Sequence, residues 1–223
     1  MAPHSLARRL ETVARRLAAR YGFPRPRRAD PLDVLIETVL SQNTSDVNSG
    51  RAFRALKAAW PCWQAAASAR APALERAIRS GGLARLKSRR ILRVLAVVRR
   101  REGRYDLRAL RRLSPAGAEL RLSGLPGVGP KTRACVLLFG CGHPAFPVDT
   151  HVHRVVRRLG LVAEGASAEQ AHTRLARFVP AARALELHLN LIRLGRELCR
   201  VRAPRCGCCP LRPVCAHGRR EAA

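Results

Sequence analysis

The chain has 223 residues, which is one large domain or two small ones and enough to bury a sizeable core. Hydrophobic residues make up 47% and aromatics only 4%, with Ala, Leu and Arg dominant, which excludes a disordered chain and favours helix over strand. Lys plus Arg is 43 against 15 for Asp plus Glu, a net charge of +28, so a polyanion is the expected partner: nucleic acid first, an anionic membrane surface second.

The start, 7–20, is rich in Arg and Ala, with Leu6, Leu10, Val13 and Leu17 at helical spacing, and reads as a basic amphipathic first helix. It lacks the apolar core of a secretory signal. No apolar run approaches the roughly 20 residues of a membrane span. Eight cysteines without such a signal argue for a reducing compartment, so a bacterial-type cytoplasmic, nucleoid-associated protein is expected.

Asp30-Pro31 reads as N-cap and first residue of a helix carrying Leu32, Leu35, Ile36, Val39 and Leu40. The polar stretch 41–46 stops it, and a helix over about 47–59 follows. Gly81-Gly82 is a break before a helix over 86–101. Ser114-Pro115 opens a short helix ending near Leu122, the run Leu125-Pro126-Gly127-Val128-Gly129 is a hairpin, and Pro130 starts a helix to about Phe139. Asp149 or Thr150 caps a helix ending at Leu159-Gly160. Ser167 with Gln170 forms a capping box, and a last helix runs from Ala181 to Cys199. The pattern contains no repeat and no strand.

Cys199, Cys206, Cys209 and Cys215 crowd one end at the spacing Cys-x6-Cys-x2-Cys-x5-Cys, a compact set of soft ligands in a Pro- and Gly-rich loop. Zinc sites usually pair two separated Cys-x2-Cys knuckles, whereas here one short pair is flanked by outer cysteines. That spacing suits a four-iron–four-sulfur cube better than a single ion. Cys208 lacks a partner three residues away and is read as a non-ligand; Cys62, Cys135 and Cys141 read as buried or incidental thiols. Arg200, Arg202, Arg205 and Arg212 surround the ligands and suit phosphates.

Only Lys57, Lys87 and Lys131 are lysines in this arginine-rich chain, so a lysine marks a place where an amine does what a guanidinium cannot. The glycines of the hairpin allow a tight turn and close approach of a phosphate. Lys131 follows in the first turn of a helix. Its amine is a candidate nucleophile, the role an arginine could not fill. Asp149 is either a plain N-cap or a carboxylate that assists attack and stabilises a cationic sugar.

Together, the segments 125–132 and 148–151 and the cysteine spacing resemble the helix-hairpin-helix DNA glycosylase superfamily and, within it, the endonuclease III family, over nearly the whole chain. The resemblance implies an all-α, two-lobed fold: a six-helix barrel over 24–143 with the hairpin motif at about 115–139, and a discontinuous cluster lobe from 1–23 and 144–223. It implies a [4Fe-4S] cluster on the four cysteines, and a monomer is expected on double-stranded DNA containing damaged or abasic sites. Lys131 would expel an oxidised pyrimidine, form a Schiff base and cut the strand by β-elimination, with Asp149 assisting: a DNA N-glycosylase and abasic-site lyase of base excision repair. DNA contacts are implied for Gln42, Asn43 and Leu83, for Gly127, Gly129 and Thr132, and for His151, Arg200, Arg202 and Arg205. A mismatched-thymine or alkyl-base glycosylase, or a catalytically weak DNA-binding relative, is the alternative. The chain departs from the family where Asn43 replaces a usual Gln, Ala84 a bulkier residue, and Ser123 a frequent acid; each change touches DNA insertion or base choice.

Overall fold

The computed structural model describes residues 3–25 and 29–220, and every regular element among them is helical. In order these are α1 (Pro3–Tyr21), α2 (Pro31–Ser41), α3 (Asp46–Ala59), α4 (Trp63–Ala67), α5 (Ala71–Ala77), α6 (Ala84–Glu102), α7 (Pro115–Ser123), α8 (Pro130–Cys135), α9 (Thr150–Leu159), α10 (Ala168–Ala176), α11 (Ala184–Glu197) and α12 (Ala216–Arg220). The chain divides into two compact units, one of Arg27–His143 and one of Met1–Pro26 with Pro144–Ala223. No described helix is long and apolar enough to cross a membrane.

In the unit with both termini, α1 buries Leu6, Leu10, Val13 and Leu17, one residue per turn, and leaves Arg8 and Arg15 exposed. It packs on α11, which packs on α9. Asp149 caps α9 through its side chain and Gly160 ends it in the left-handed region at φ 70°. Val152, Val155, Val156 and Leu159 form its buried face. The capping box of α10 is complete: Gln170 N–H donates to Ser167 Oγ, and Ser167 N–H to Gln170 Oε1.

The last long helix opens differently from its sequence pattern. Residues Ala181–Arg183 form a 3-10 turn, and α11 begins at Ala184. Pro180 sits in extended backbone, and Arg183 N–H bonds back to Pro180 O at 2.9 Å, tightening the entry.

In the other unit, α2 is the central helix. Asp30 accepts from the amides of Leu32 and Asp33, and Pro31 occupies the first turn. Leu32, Leu35, Ile36, Val39 and Leu40 are all fully buried, and α2 packs against α3, α6 and α8. The helix that begins at Pro130 widens into a π turn over Val136–Cys141 rather than running on as α. Its freed carbonyls find donors elsewhere: Ala29 N–H donates to Phe139 O at 3.3 Å and Arg111 Nε to Gly140 O at 2.9 Å. The widening also seats Gly140 on α2, where an added Cβ would lie 2.8 Å from Pro31 Cα.

That contact is backbone against backbone and has no flexible end to yield. Gly140→Ala is therefore expected to lower unfolding free energy by about 1–3 kcal/mol, measured by denaturant titration; an unchanged midpoint would show that the two helices are not locked together here.

Candidate nucleic-acid interface and metal centre

The hairpin between α7 and α8 is held from below by Leu125 and Val128, both buried, and closed by Val128 N–H to Leu125 O at 3.2 Å. Pro126 and Gly127 take its two central positions, the residue order of a type II turn, and Gly127 has φ 72°. Arg90 of α6 lies against Gly127 so closely that a Cβ there would stand 2.6 Å from Arg90 Cδ. The Arg90 guanidinium donates to Gln42 Oε1. Gln42 Nε2 donates to Gly127 O and to Thr132 Oγ1, both at 3.4 Å. Gln42 therefore joins the end of α2, the hairpin and the first turn of α8. Thr132, expected at a DNA contact, is only 3% exposed, and its hydroxyl accepts from Gln42 because burial in the first turn of α8 turns it toward the end of α2.

The three lysines have different surroundings. Lys57 Nζ lies 3.4 Å from Asp33 Oδ1 and 4.5 Å from the centre of the Trp63 ring. Lys87 is buried, and its Nζ donates to Leu40 O at 2.6 Å and Gly81 O at 2.7 Å. Lys131, second residue of α8, is half-exposed, and its amine makes no hydrogen bond or ion pair among the described residues. The two other lysines thus have structural partners of their own.

Asn43 and Leu83 are exposed, and both adopt left-handed backbone, at φ 52° and 47°. Leu83 is 54% exposed, an apolar side chain presented to solvent. Ser123 turns its hydroxyl onto Leu120 O at 2.7 Å at the end of α7.

In the second unit, Asp149 is half-exposed and its Oδ1 accepts from Val152 N–H at 2.7 Å. Two residues on, His151 Nδ1 accepts from Arg154 at 3.1 Å. The same guanidinium donates to Gly195 O at 2.8 Å and Cys199 O at 2.9 Å. One turn further, Arg158 donates to Arg200 O at 2.5 Å, Val201 O at 3.0 Å and Cys199 Sγ at 3.4 Å. Two arginines of α9 thereby fasten the chain that leaves α11. Sequence reading missed both, as it missed Arg90, because one more arginine in this composition carries no signal.

Cys199, Cys206, Cys209 and Cys215 line a single small cavity with Arg158 and Leu198. Cys208 lies outside that lining, exposed, its thiol 3.5 Å from Arg205 O. Among the described residues, no three His, Cys, Asp or Glu side chains converge to hold a single metal ion. Cys135 and Cys141 are buried in the other unit, where burial pushes the Cys141 thiol up to about 11, and Cys62 is exposed. Arg200, Arg202 and Arg205 are exposed on the cysteine loop and make no ion pair among the described residues.

Residues 36–181 match the model of the HhH-GPD superfamily base excision DNA repair proteins. The chain belongs to that superfamily. It is similar to endonuclease III of Thermotoga maritima, 35% identical over 95% of this chain and 94% of that protein, and of Escherichia coli K12, 31% identical over 95% of this chain and 96% of that protein. An Arabidopsis thaliana protein provisionally named as a DNA glycosylase is 41% identical over 74% of this chain, which spans 56% of that protein's length. A solved non-covalent endonuclease III–DNA complex superposes with a TM-score of 0.82 at 27% identity, covering 100% of this chain and 99% of that one. The fold is therefore that of the endonuclease III-like base excision glycosylases.

The two hairpin glycines differ physically. Gly127→Ala must adopt φ 72° and meets Arg90, whereas Gly129, at φ −81°, has open space where a Cβ would go. Gly127→Ala is expected to cost about 1–2 kcal/mol and Gly129→Ala close to nothing, read as midpoint shifts in urea; equal shifts would refute this account of the turn.

Proposed function

We propose that the chain is a bifunctional DNA glycosylase and abasic-site lyase that removes oxidised pyrimidines from double-stranded DNA, with Lys131 as nucleophile and Asp149 assisting. The observation that carries it is the state of the lysines. Lys57 and Lys87 are committed to internal partners, while Lys131 stands half-exposed beside the glycine hairpin with its amine unengaged. A phosphate-binding cation at that place would be served by arginine, which this chain uses almost everywhere else.

In this reading the Lys131 amine attacks C1′ of the damaged nucleoside as the bond to the base breaks and the base leaves with the electron pair. Asp149, through the carboxylate oxygen not bonded to Val152, stabilises the positive charge that develops on the sugar. Opening of the sugar ring gives a Schiff base between Lys131 and C1′. Loss of a proton from C2′ then expels the 3′ phosphate, and hydrolysis releases the lysine. Gly127 and Gly129 bring the hairpin backbone close to a phosphate, while Asn43 and Leu83 fill the space vacated by a flipped nucleotide. Thr132 acts through Gln42 rather than on DNA.

The donor set fits a [4Fe-4S] cluster. Four soft thiolates line one cavity, one for each iron of such a cube. Cys199, Cys206, Cys209 and Cys215 would hold it. When bound, it supplies a rigid cross-link that holds the loop bearing Arg200, Arg202 and Arg205. His151 orients that loop's anchor, Arg154.

Borohydride reduction on a duplex containing one abasic site is expected to trap the wild-type protein covalently. Lys131→Ala should give no adduct, and Asp149→Asn should slow trapping by about 100-fold or more. An adduct of undiminished yield in Lys131→Ala would sink the assignment. A panel of duplexes bearing oxidised pyrimidines, mismatched thymine and alkylated bases reads the preferred lesion. Changing Arg200, Arg202 and Arg205 together to Gln should flatten the salt dependence of duplex binding, by about 0.9 in log–log slope for each phosphate no longer neutralised; an unchanged slope means that the phosphates are met elsewhere on the protein.

A further inference from the structure

We propose that Lys87 is a positioning residue that locks the loop of Asn43 to the loop of Leu83, so that the two side chains enter a duplex as one unit. This rests on the reading of the chain as a DNA glycosylase whose Asn43 and Leu83 face DNA.

A lysine is almost never fully buried without a reason. Lys87 is 1% exposed, and its Nζ bridges the carbonyls of two separate segments: Leu40, in the last turn of α2, at 2.6 Å, and Gly81, in the 3-10 turn before α6, at 2.7 Å. The Leu40 carbonyl lies three residues before Asn43, and Gly81 two residues before Leu83. A second tie repeats the link, since Thr44 Oγ1 donates to Gly81 O at 2.5 Å. The amine on Lys87 is thus the inner fastening of a joint whose outer fastening is Thr44.

What the joint holds is unusual. Asn43 and Leu83 are two of the three non-glycine residues with positive φ among the described residues. Asn tolerates that region, but leucine avoids it, and a leucine kept there needs its surroundings to hold it. Neighbouring packing allows little slack: a Cβ on Gly81 would lie 3.1 Å from Ala52 Cβ, and one on Gly82 3.2 Å from Thr44 Oγ1. The result is that both loops present an exposed side chain from a backbone that cannot relax independently.

The choice of lysine follows from the site. A slim stem with a compact, rotatable head fits buried packing more easily than a broad planar guanidinium, and it still offers a donor to each carbonyl. Burial, with Arg90 nearby, pushes the Lys87 ammonium below the ordinary lysine value. A neutral amine keeps two N–H bonds, so both carbonyls stay satisfied in either protonation state.

The test uses the full chain and a duplex with 2-aminopurine opposite a stable abasic analogue, where insertion unstacks the probe and raises its fluorescence. Trapping on the true abasic site is measured in parallel, in duplex and in single strand. Lys87→Met, which keeps the stem and removes the donors, should lose most of the fluorescence rise while still binding undamaged duplex. It should also lower trapping on duplex by about 100-fold, the effect of an ångström-scale misplacement, with single-strand trapping unchanged. Thr44→Val should shift both readouts in the same direction by less, and it decides the matter if Lys87→Met does not fold. Wild-type fluorescence in the folded variants, an equal loss on single strand and duplex, or no rise with the wild type would each overturn the proposal. If the wild type gives no adduct on either DNA, the lyase reading fails, and the fluorescence comparison alone still decides the role of Lys87.

Discussion

Fifteen carboxylates cannot pair with 43 basic side chains, so the guanidinium groups must find other acceptors or stay in water. Many of those that turn inward find backbone carbonyls, and they find them at helix ends. Arg9 donates to Leu159 and Gly160 O at the end of α9, Arg101 to Arg121 and Gly124 O at the end of α7, and Arg154 and Arg158 to the carbonyls from Gly195 to Val201. A helix leaves its last carbonyls without an intrahelical donor, and they carry the negative end of its dipole. A guanidinium there satisfies an orphaned acceptor without being neutralised by a carboxylate. The fold is thereby tied together by groups that keep their full positive charge, which a polyanionic partner then meets.

The same economy explains why the lysines stand out. Where a fork of N–H groups reaches surface carbonyls, arginine serves. Lys87 sits where only a slim stem fits, and Lys57 packs its head on the Trp63 ring while meeting Asp33. Lys131 has no such explanation in packing, and chemistry at carbon is what an amine offers and a guanidinium does not. Asp149 shows the opposite pattern: the plain reading, an N-cap, is correct for Oδ1, and it also fixes where the carboxylate points.

How much of this was legible in the sequence depends on the range of the interaction. Caps were legible, because Asp30, Asp149, Ser167 and Gln170 act within three residues of themselves. The glycine hairpin and the buried faces of α1 and α2 were legible for the same reason, through turn chemistry and periodicity. The π turn over Val136–Cys141 was not, because it is stabilised by Arg111 and Ala29, far away in the chain. Nor was the inward place of Thr132, which follows from Gln42 ninety residues earlier. The four cysteines fell between these cases: their spacing pointed to a shared cage, and what it left out was the pair of arginines on α9 that hold it.

Those arginines bear on how the second unit is organised. Residues from Asp149 to Arg158 form the capping residue and length of one short helix, and its inner side grips the loop that begins at Cys199. Gly195 lets the two helices come this close, since a Cβ there would stand 3.1 Å from His151 Cβ and 3.2 Å from the Arg154 guanidinium. The carboxylate at the start of α9 and the thiol loop fastened along it are therefore parts of one rigid piece, although 50 residues separate Asp149 from Cys199. A loosened cysteine loop would release Arg154 and Arg158 and also uncover Leu211, which the loop buries in the core of this unit. The position of Asp149 would then be felt first through its helix, with the N-cap bond to Val152 left as its remaining local restraint.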